Sequence, residues 1–136
     1  MIKVAVGIIV KKGLVLLCQR KRTALYPLKW EFPGGKLKEG ETAEDCLRRE
    51  LFEELGIKAT VGPLFHRQSF VYPDSGTFDV FFYVISTFTG RPVNNAYEIY
   101  RWVPLDEVHL YDILEGNKDV VLKLASSYDR FSTFNS

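Results

Sequence analysis

Three glutamates lie close together in one short segment of this chain. Residues 48–56 read RRELFEELG, which places Glu50, Glu53 and Glu54 on less than two turns of a predicted helix. At 100° per residue the three side chains fall within an arc of about 100°, where like charges repel one another. They therefore either face water or bind a cation. Carboxylate oxygens suit Mg²⁺ or Mn²⁺ better than zinc, which prefers histidine and cysteine.

The residues around these glutamates form a longer pattern of fixed spacing. From Gly35 the sequence reads GKLKEGETAEDCLRRELFEELGI, which satisfies every fixed position of G-x5-E-x7-R-E-U-x-E-E-x-G-U, where U is a bulky aliphatic residue. The matched residues are Gly35, Glu41, Arg49, Glu50, Leu51, Glu53, Glu54, Gly56 and Ile57. This pattern is the signature of the Nudix hydrolase family, which the chain therefore resembles.

The resemblance implies a fold class and an activity. It implies an α/β protein with an α/β/α sandwich, in which a mixed β-sheet has the motif helix on one side and the C-terminal helix on the other. Nudix enzymes hydrolyse a nucleoside diphosphate linked to a further group X. The resemblance therefore implies Mg²⁺, or alternatively Mn²⁺, as cofactor and a small nucleotide as the binding partner.

Roles within the motif follow from the same resemblance. It implies that Glu50, Glu53 and Glu54 bind the metal, and that the carbonyl of Gly34 adds a ligand. Arg49 is expected to orient the glutamates. Which glutamate takes the proton of the attacking water stays open.

Further polar residues are assigned by their position. Glu41 is expected to support the metal-binding loop. Glu98, just before a strand that ends in Trp-Val, is a metal ligand, the general base or a charge at a strand edge. Arg20 matches a phosphate-binding arginine of the family, and guanidinium suits phosphate, although a surface role is the alternative. Lys36 either contacts phosphate or is solvated.

Weaker features point to one branch of the family. The opening VAVGIIV, the segment WEFPGGK and the YPD turn resemble MutT-type nucleoside triphosphate pyrophosphohydrolases. Asn117 matches an asparagine that reads the base in the oxidised-guanine enzymes, and helix capping is its alternative role. Phe32 and Tyr72 are expected to stack on the base, or to pack in the core. Ser75 departs from the best-known oxidised-guanine enzyme, which has arginine there.

These features predict a Mg²⁺-dependent, MutT-like pyrophosphohydrolase that converts 8-oxo-dGTP or a related (d)NTP to the monophosphate and pyrophosphate. One alternative is an enzyme that prefers CTP or dCTP. Another is a Nudix hydrolase of a different X, such as ADP-ribose or a dinucleoside polyphosphate. A third is a non-catalytic nucleotide sensor.

The elements that position the motif can be read from hydrophobic periodicity. Apolar runs at 3–10 and 14–19, split by KKG, predict a β-hairpin. A loop is expected over 21–31, and PGG at 33–35 is expected to break regular structure. A helix over about 42–55 begins at Thr42 as N-cap and ends before Gly56, with a buried stripe of Leu47, Leu51 and Leu55.

The second half of the chain alternates strands and turns. Segments 58–72 and 77–88 favour strands and flank the turn PDSG. A strand is expected at 98–103, then a short helical turn in PLDEV. Residues 115–127 carry apolar side chains at helical spacing, which predicts the C-terminal helix.

Composition limits the class of protein. A chain of 136 residues fits one domain over 1–127, followed by a polar tail over 128–136. The net charge of +1 argues against a nucleic acid polymer or a membrane as partner. Cys18 and Cys46 have no disulfide or zinc spacing, so reduced packing roles and a cytoplasmic location are expected. Whether the protein is a monomer or a homodimer stays open.

Overall fold

The computed structural model describes residues 1–127, and within them it contains nine β-strands and two α-helices. The strands are β1 (Ile2–Lys11), β2 (Leu14–Gln19), β3 (Trp30–Glu31), β4 (Gly34–Lys36), β5 (Lys58–Thr60), β6 (Leu64–Tyr72), β7 (Gly76–Ile85), β8 (Thr87–Thr89) and β9 (Ile99–Pro104). The helices are α1 (Ala43–Leu55) and α2 (Lys118–Ser126), and 3₁₀ turns cover Leu105–Leu110 and Glu115–Asn117. The predicted tail, 128–136, lies outside the described residues, and the single-domain boundary stays a prediction.

The mixed sheet is organised around β1. One edge of β1 pairs in parallel with β7, from Ile2 opposite Phe78 to Ile9 opposite Ile85. Its other edge has two antiparallel partners, β4 near the N-terminus and β2 at the C-terminal end. β2 and β4 therefore pair with different halves of the same edge of β1. The segment that connects β2 to β4 passes the point along β1 at which these two strands separate.

Side chains of β1 alternate between two hydrophobic cores, as the two-residue period of a strand requires. Ile8 and Val10 pack in the core that contains Leu124 of α2. Ala5 and Ile9 pack in the core that contains the leucines of α1. The helices therefore cover opposite faces of the sheet, which confirms the predicted α/β/α arrangement.

Helix α1 holds the motif rigidly against the sheet. The Thr42 Oγ1 accepts a hydrogen bond from the Asp45 N–H at 3.1 Å, which caps the first turn, and Gly56 ends the helix at φ 66°. The predicted leucine stripe is fully buried. Burial of each leucine contributes about 1.5–3 kcal/mol, so the motif edge is fixed by the buried face beside it.

Several predicted boundaries were wrong. Gly34–Lys36 does not break regular structure, because its backbone pairs with Val4–Val6 as β4. The segment 58–72 is two strands, β5 and β6, and 77–88 likewise divides between β7 and β8. The C-terminal α-helix begins only at Lys118, after a 3₁₀ turn.

Two smaller expectations can be compared with the structure directly. Cys18 and Cys46 are buried free thiols that pack in the core of α1, as predicted. Over residues 1–127, neither helix has the length and apolar composition that a membrane crossing requires.

Candidate active site

Arg49 connects the carboxylates of the motif. Its guanidinium donates two hydrogen bonds of 2.8 Å to Glu41, one of 2.8 Å to Glu50 and one of 3.3 Å to Glu53. The same group donates to the Lys36 carbonyl at 3.2 Å. Arg49 therefore contacts three of the motif glutamates, and its role in orienting them stays a prediction.

Glu41 links this arginine to the loop before the helix. Hydrogen bonds from Arg49 and from the Lys38 N–H lower the pKa of Glu41 to about 2. A carboxylate ionised in this way keeps the guanidinium in place over the whole range of working pH. The predicted supporting role of Glu41 agrees with this geometry.

Glu54 lies on the buried side of the helix edge. The Tyr97 hydroxyl donates to its carboxylate at 2.6 Å. Burial raises the pKa of Glu54, and the adjacent Glu50 raises it further, although the Tyr97 hydrogen bond opposes both effects. Two crowded carboxyl groups in a partly dehydrated place are stabilised by a cation.

The glycine loop approaches the helix closely. A Cβ on Gly35 would collide with the Glu50 carboxyl group, so any larger residue there would displace this carboxylate. A Cβ on Gly34 would lie 2.1 Å from the Ala5 carbonyl oxygen. These contacts place a backbone segment and the Glu50 carboxylate together, which is an all-oxygen environment suited to a hard divalent cation.

The predicted metal ligands are only partly brought together. Glu50 and Glu54 lie near each other, whereas Glu53 is half-exposed and contacts Arg49. Glu98 accepts a hydrogen bond from the Arg22 N–H at 3.0 Å, and this contact lowers the pKa of Glu98. Throughout residues 1–127, no three His, Cys, Asp or Glu side chains are grouped as a ready-made metal site. The assignments of Gly34, Glu50, Glu53, Glu54 and Glu98 as metal ligands all stay predictions.

A pocket of about 710 Å³ begins at this edge and extends between β1, β4, β6 and the loops around them. Its lining includes Glu54 and six of the other residues expected from the sequence. These six are Arg20, Phe32, Gly34, Lys36, Tyr72 and Asn117. One continuous cavity thus joins Glu54 of the motif to the aromatic side chains expected for base binding.

Arg20 lines this pocket in a partly buried ion pair. Its guanidinium lies 3.2 Å from Glu31 and donates through Nε to the Leu25 carbonyl at 2.8 Å. Burial raises the pKa of Glu31 to about 6 even though Arg20 lowers it. Arg20 is therefore not the isolated surface residue of the alternative interpretation, and its predicted phosphate contact stays open.

Asn117 does not cap the C-terminal helix with its side chain. Instead its Oδ1 accepts a hydrogen bond from the Phe32 backbone N–H at 3.0 Å. Because that N–H needs an acceptor, the contact fixes the amide orientation and leaves the NH₂ group as the donor end. Asn117 is 7% exposed and lines the pocket.

Tyr72 also lines the pocket, next to the start of the C-terminal helix. Its hydroxyl accepts a hydrogen bond from the Gly116 N–H at 2.7 Å, and its ring packs edge-on against Phe78 at 5.6 Å between centroids. Tyr26 contacts the same ring at 5.1 Å. Phe32 is 3% exposed and contributes both to the core and to the lining.

Three residues of this site were missed in the sequence. Glu31 is part of the WEFPGG segment, but its burial beside Arg20 depends on the pairing of β2 with β3. Tyr97 immediately precedes Glu98, and only the charged Glu98 was predicted to belong to the site. Tyr26 lies in a polar loop with no recognisable pattern. The WEFPGG resemblance was the only available signal, and it pointed to Glu31 alone.

Comparison with known proteins agrees with this geometry. The NUDIX domain model matches residues 1–124. A relative from Haemophilus influenzae, named 8-oxo-dGTP diphosphatase, is 39% identical over 131 residues, which is 96% of each chain. The CTP pyrophosphohydrolase of Escherichia coli is 48% identical over 62 residues, 46% of each chain. A solved MutT structure, described for Aliivibrio salmonicida and Vibrio cholerae, has a TM-score of 0.79 at 29% identity, covering 93% of this chain and 98% of that one.

The chain belongs to the Nudix hydrolase family. The fold, the intact motif and the relatives agree that it is a hydrolase acting on pyrophosphate bonds. Within the family it is MutT-like, because the similar proteins that extend over nearly its whole length include 8-oxo-dGTP diphosphatases and MutT structures.

Proposed function

We propose that this protein is a Mg²⁺-dependent nucleoside triphosphate pyrophosphohydrolase that acts on 8-oxo-dGTP or a related (d)NTP. Water is added across the α–β anhydride, and the products are the nucleoside monophosphate and pyrophosphate. The single observation that carries this proposal is the shared pocket, whose lining contains Glu54, Gly34 and Lys36 together with Phe32 and Asn117. A triphosphate with its base attached needs both environments.

The proposed metal site consists of Glu50, Glu54 and the Gly34 carbonyl, with Glu53 and Glu98 as further ligands. This set contains only oxygen atoms and carries excess negative charge, which favours Mg²⁺ and accommodates Mn²⁺. A bound Mg²⁺ would neutralise phosphate charge and lower the pKa of a coordinated water.

The protein side chains position these groups. Arg49 holds the Glu50 carboxylate at 2.8 Å, and the Tyr97 hydroxyl holds Glu54 at 2.6 Å. Arg20 and Lys36 supply positive charge in the lining, where phosphate oxygens of the substrate would lie. Because hydrolysis of a phosphoanhydride depends mainly on positioning and electrostatics, such fixed contacts are the main contribution of the protein.

We propose that Asn117 reads the base. Its Oδ1 is occupied by the Phe32 N–H, so the NH₂ group would donate to acceptor atoms on the base edge. Guanine offers such acceptors at O6 and N7, and 8-oxoguanine still offers O6, since its N7 carries a hydrogen. This arrangement supports a guanine-type base.

The test is product release from a panel of nucleotides in Mg²⁺. The panel contains the common NTPs and dNTPs, 8-oxo-dGTP, 5-methyl-dCTP, ADP-ribose and diadenosine tetraphosphate. Pyrophosphate and monophosphate from 8-oxo-dGTP, in preference to dGTP, would support the proposal. Cleavage of ADP-ribose or diadenosine tetraphosphate alone, or no turnover at all, would overturn it.

A preference for CTP or dCTP is the second candidate. Ser75 stands in the pocket lining where the best-known oxidised-guanine enzyme has an arginine. The E. coli CTP pyrophosphohydrolase matches 46% of this chain at 48% identity. In the panel, a higher kcat/KM for dCTP than for 8-oxo-dGTP would favour this candidate and keep the same site.

A further inference from the structure

The loop between β2 and β3 carries apolar side chains at the mouth of the pocket. Its tip reads LYPL, and Leu25 and Leu28 are 61% and 40% exposed. Tyr26 and Leu28 both have left-handed backbone conformations, with φ of 52° and 61°. Such conformations are unfavourable for large side chains and persist only where the surroundings hold them.

The contacts that hold this loop are specific. The Tyr26 hydroxyl donates a hydrogen bond to Asp74, in the turn between β6 and β7. The Tyr26 ring lies 5.1 Å from the Tyr72 ring, with 43° between their planes. At the base of the loop, the Arg20 Nε donates to the Leu25 carbonyl. The loop is thus tied to the far side of the pocket and to a residue proposed to meet phosphate.

These contacts hold the Tyr26 side chain in the lining of the pocket. Leu25 and Tyr26 line the same pocket as Tyr72, Phe32 and Asn117. The Tyr26 and Tyr72 rings touch each other, so a planar group cannot enter between them and must lie on the faces they present to the pocket. Aromatic faces bind nucleobases by stacking.

We propose that Tyr26, held by Asp74, is a nucleobase-stacking residue that sets the affinity for the base part of the substrate. This inference rests on the proposed function, because it takes the pocket to be a nucleotide site. It separates two contributions to binding, since Tyr26 acts on the base, whereas Arg20, Lys36 and the motif act on the phosphates. A loop residue that only packed against Tyr72 would affect stability, and would not affect one ligand more than another.

The test compares binding of dGMP, dCMP and pyrophosphate to the full chain in millimolar Mg²⁺ by calorimetry. Tyr26→Ala removes the ring, and Tyr26→Phe removes only the hydrogen bond to Asp74. Leu28→Ala is the matched control, because it lies in the same loop at a similar backbone conformation but outside the pocket lining. If Tyr26→Ala does not fold, Tyr26→Leu keeps the apolar bulk and removes the aromatic face.

The expected result for Tyr26→Ala is a rise of about tenfold in the Kd of dGMP or dCMP, with the Kd of pyrophosphate changed less than about twofold. Tyr26→Phe should weaken the same nucleotide by about threefold, through a less fixed ring. Leu28→Ala should change none of the three constants by more than about twofold.

Two results would overturn the inference. One is an unchanged nucleotide Kd in Tyr26→Ala or Tyr26→Leu, and the other is equal weakening of nucleotide and pyrophosphate. The turnover panel judges the proposed function separately. Tyr26-dependent binding of dGMP without any triphosphate cleavage would keep the inference and reject the proposed function. Triphosphate cleavage with Tyr26-independent nucleotide binding would keep the proposed function and reject the inference.

Discussion

The motif edge of α1 and the aromatic side of the pocket are built in different ways. The motif edge is a network of ion pairs in which one guanidinium contacts Glu41, Glu50 and Glu53. The aromatic side consists of rings in mutual contact. A few backbone N–H groups donate hydrogen bonds there, such as the Gly116 N–H to the Tyr72 hydroxyl. The first arrangement suits charge stabilisation, and the second suits recognition of a planar group.

The two regions are also encoded differently along the chain. Nearly all of the motif edge comes from one continuous segment, 35–57, so its spacing alone determines the neighbours. The aromatic side combines the loop after β2, the hairpin of β6 and β7, and the start of α2. We therefore expect changes at the motif edge to reduce turnover, and changes at the aromatic side to alter which nucleotide binds.

Glu53→Gln should give the largest effect. It keeps the shape of the side chain and removes one proposed metal-binding charge, so kcat should fall by about 10³-fold. Steady-state turnover with saturating Mg²⁺ measures this loss. Glu39→Gln, an exposed glutamate outside the matched pattern, is the control and should keep wild-type kcat. A Glu53→Gln enzyme with more than a tenth of wild-type kcat would remove this residue from the metal site.

Mg²⁺ should stabilise the folded protein. Because a ligand that binds only the native state adds stability, saturation at about 100 times Kd contributes roughly 2.7 kcal/mol. Thermal unfolding with and without millimolar Mg²⁺ measures the shift, which should shrink in Glu53→Gln. A midpoint that does not move with either Mg²⁺ or Mn²⁺ would count against the metal site.

Glu31 should make stability depend on pH. Its pKa is raised to about 6 in the folded protein, so the folded state holds the proton that the unfolded chain releases between about pH 4.5 and 6. Wild type should therefore lose about 2 kcal/mol relative to Glu31→Gln as the pH rises through this window. Urea unfolding of both proteins at pH 4.5 and 7 tests the direction of this change in the free energy of unfolding. A stability difference that is independent of pH would contradict the buried environment assigned to Glu31.

Arg49→Lys should have a smaller effect on turnover. Lysine keeps the positive charge but cannot make the forked contacts to Glu41 and Glu50 at once, so kcat should fall by about tenfold. Arg48→Lys is the matched control, since Arg48 is exposed and pairs only with Asp45 among the described residues. Equal activity of both lysine variants would show that Arg49 contributes charge without orientation.

Much of the fold could be predicted because local patterns and burial agreed. The leucine stripe, the Thr42 cap and Gly56 each favoured the same helix, and the structure contains it at Ala43–Leu55. Predictions failed where pairing across the sheet decided the outcome. Gly34–Lys36 is a strand only because β1 offers a free edge there, which no pattern within PGG can reveal.

The candidate site divides in the same way. Arg49 and Glu50 were identified from spacing, and the structure places them in contact. Asn117 lines the pocket, and its base-reading role stays a prediction. Its capping alternative was wrong because the Phe32 N–H, 85 residues away in sequence, takes the side-chain oxygen. Such contacts depend on how distant loops meet, and helical or strand periodicity does not encode them.

The most direct test is to measure kcat and KM for Glu54→Gln and Asn117→Ala with the best triphosphate from the panel. Glu54→Gln should lower kcat by at least about 100-fold with KM changed less than about threefold. Asn117→Ala should raise KM about tenfold with kcat nearly unchanged. If both variants altered the same kinetic parameter to the same extent, the division between a reacting edge and a recognising pocket would be wrong.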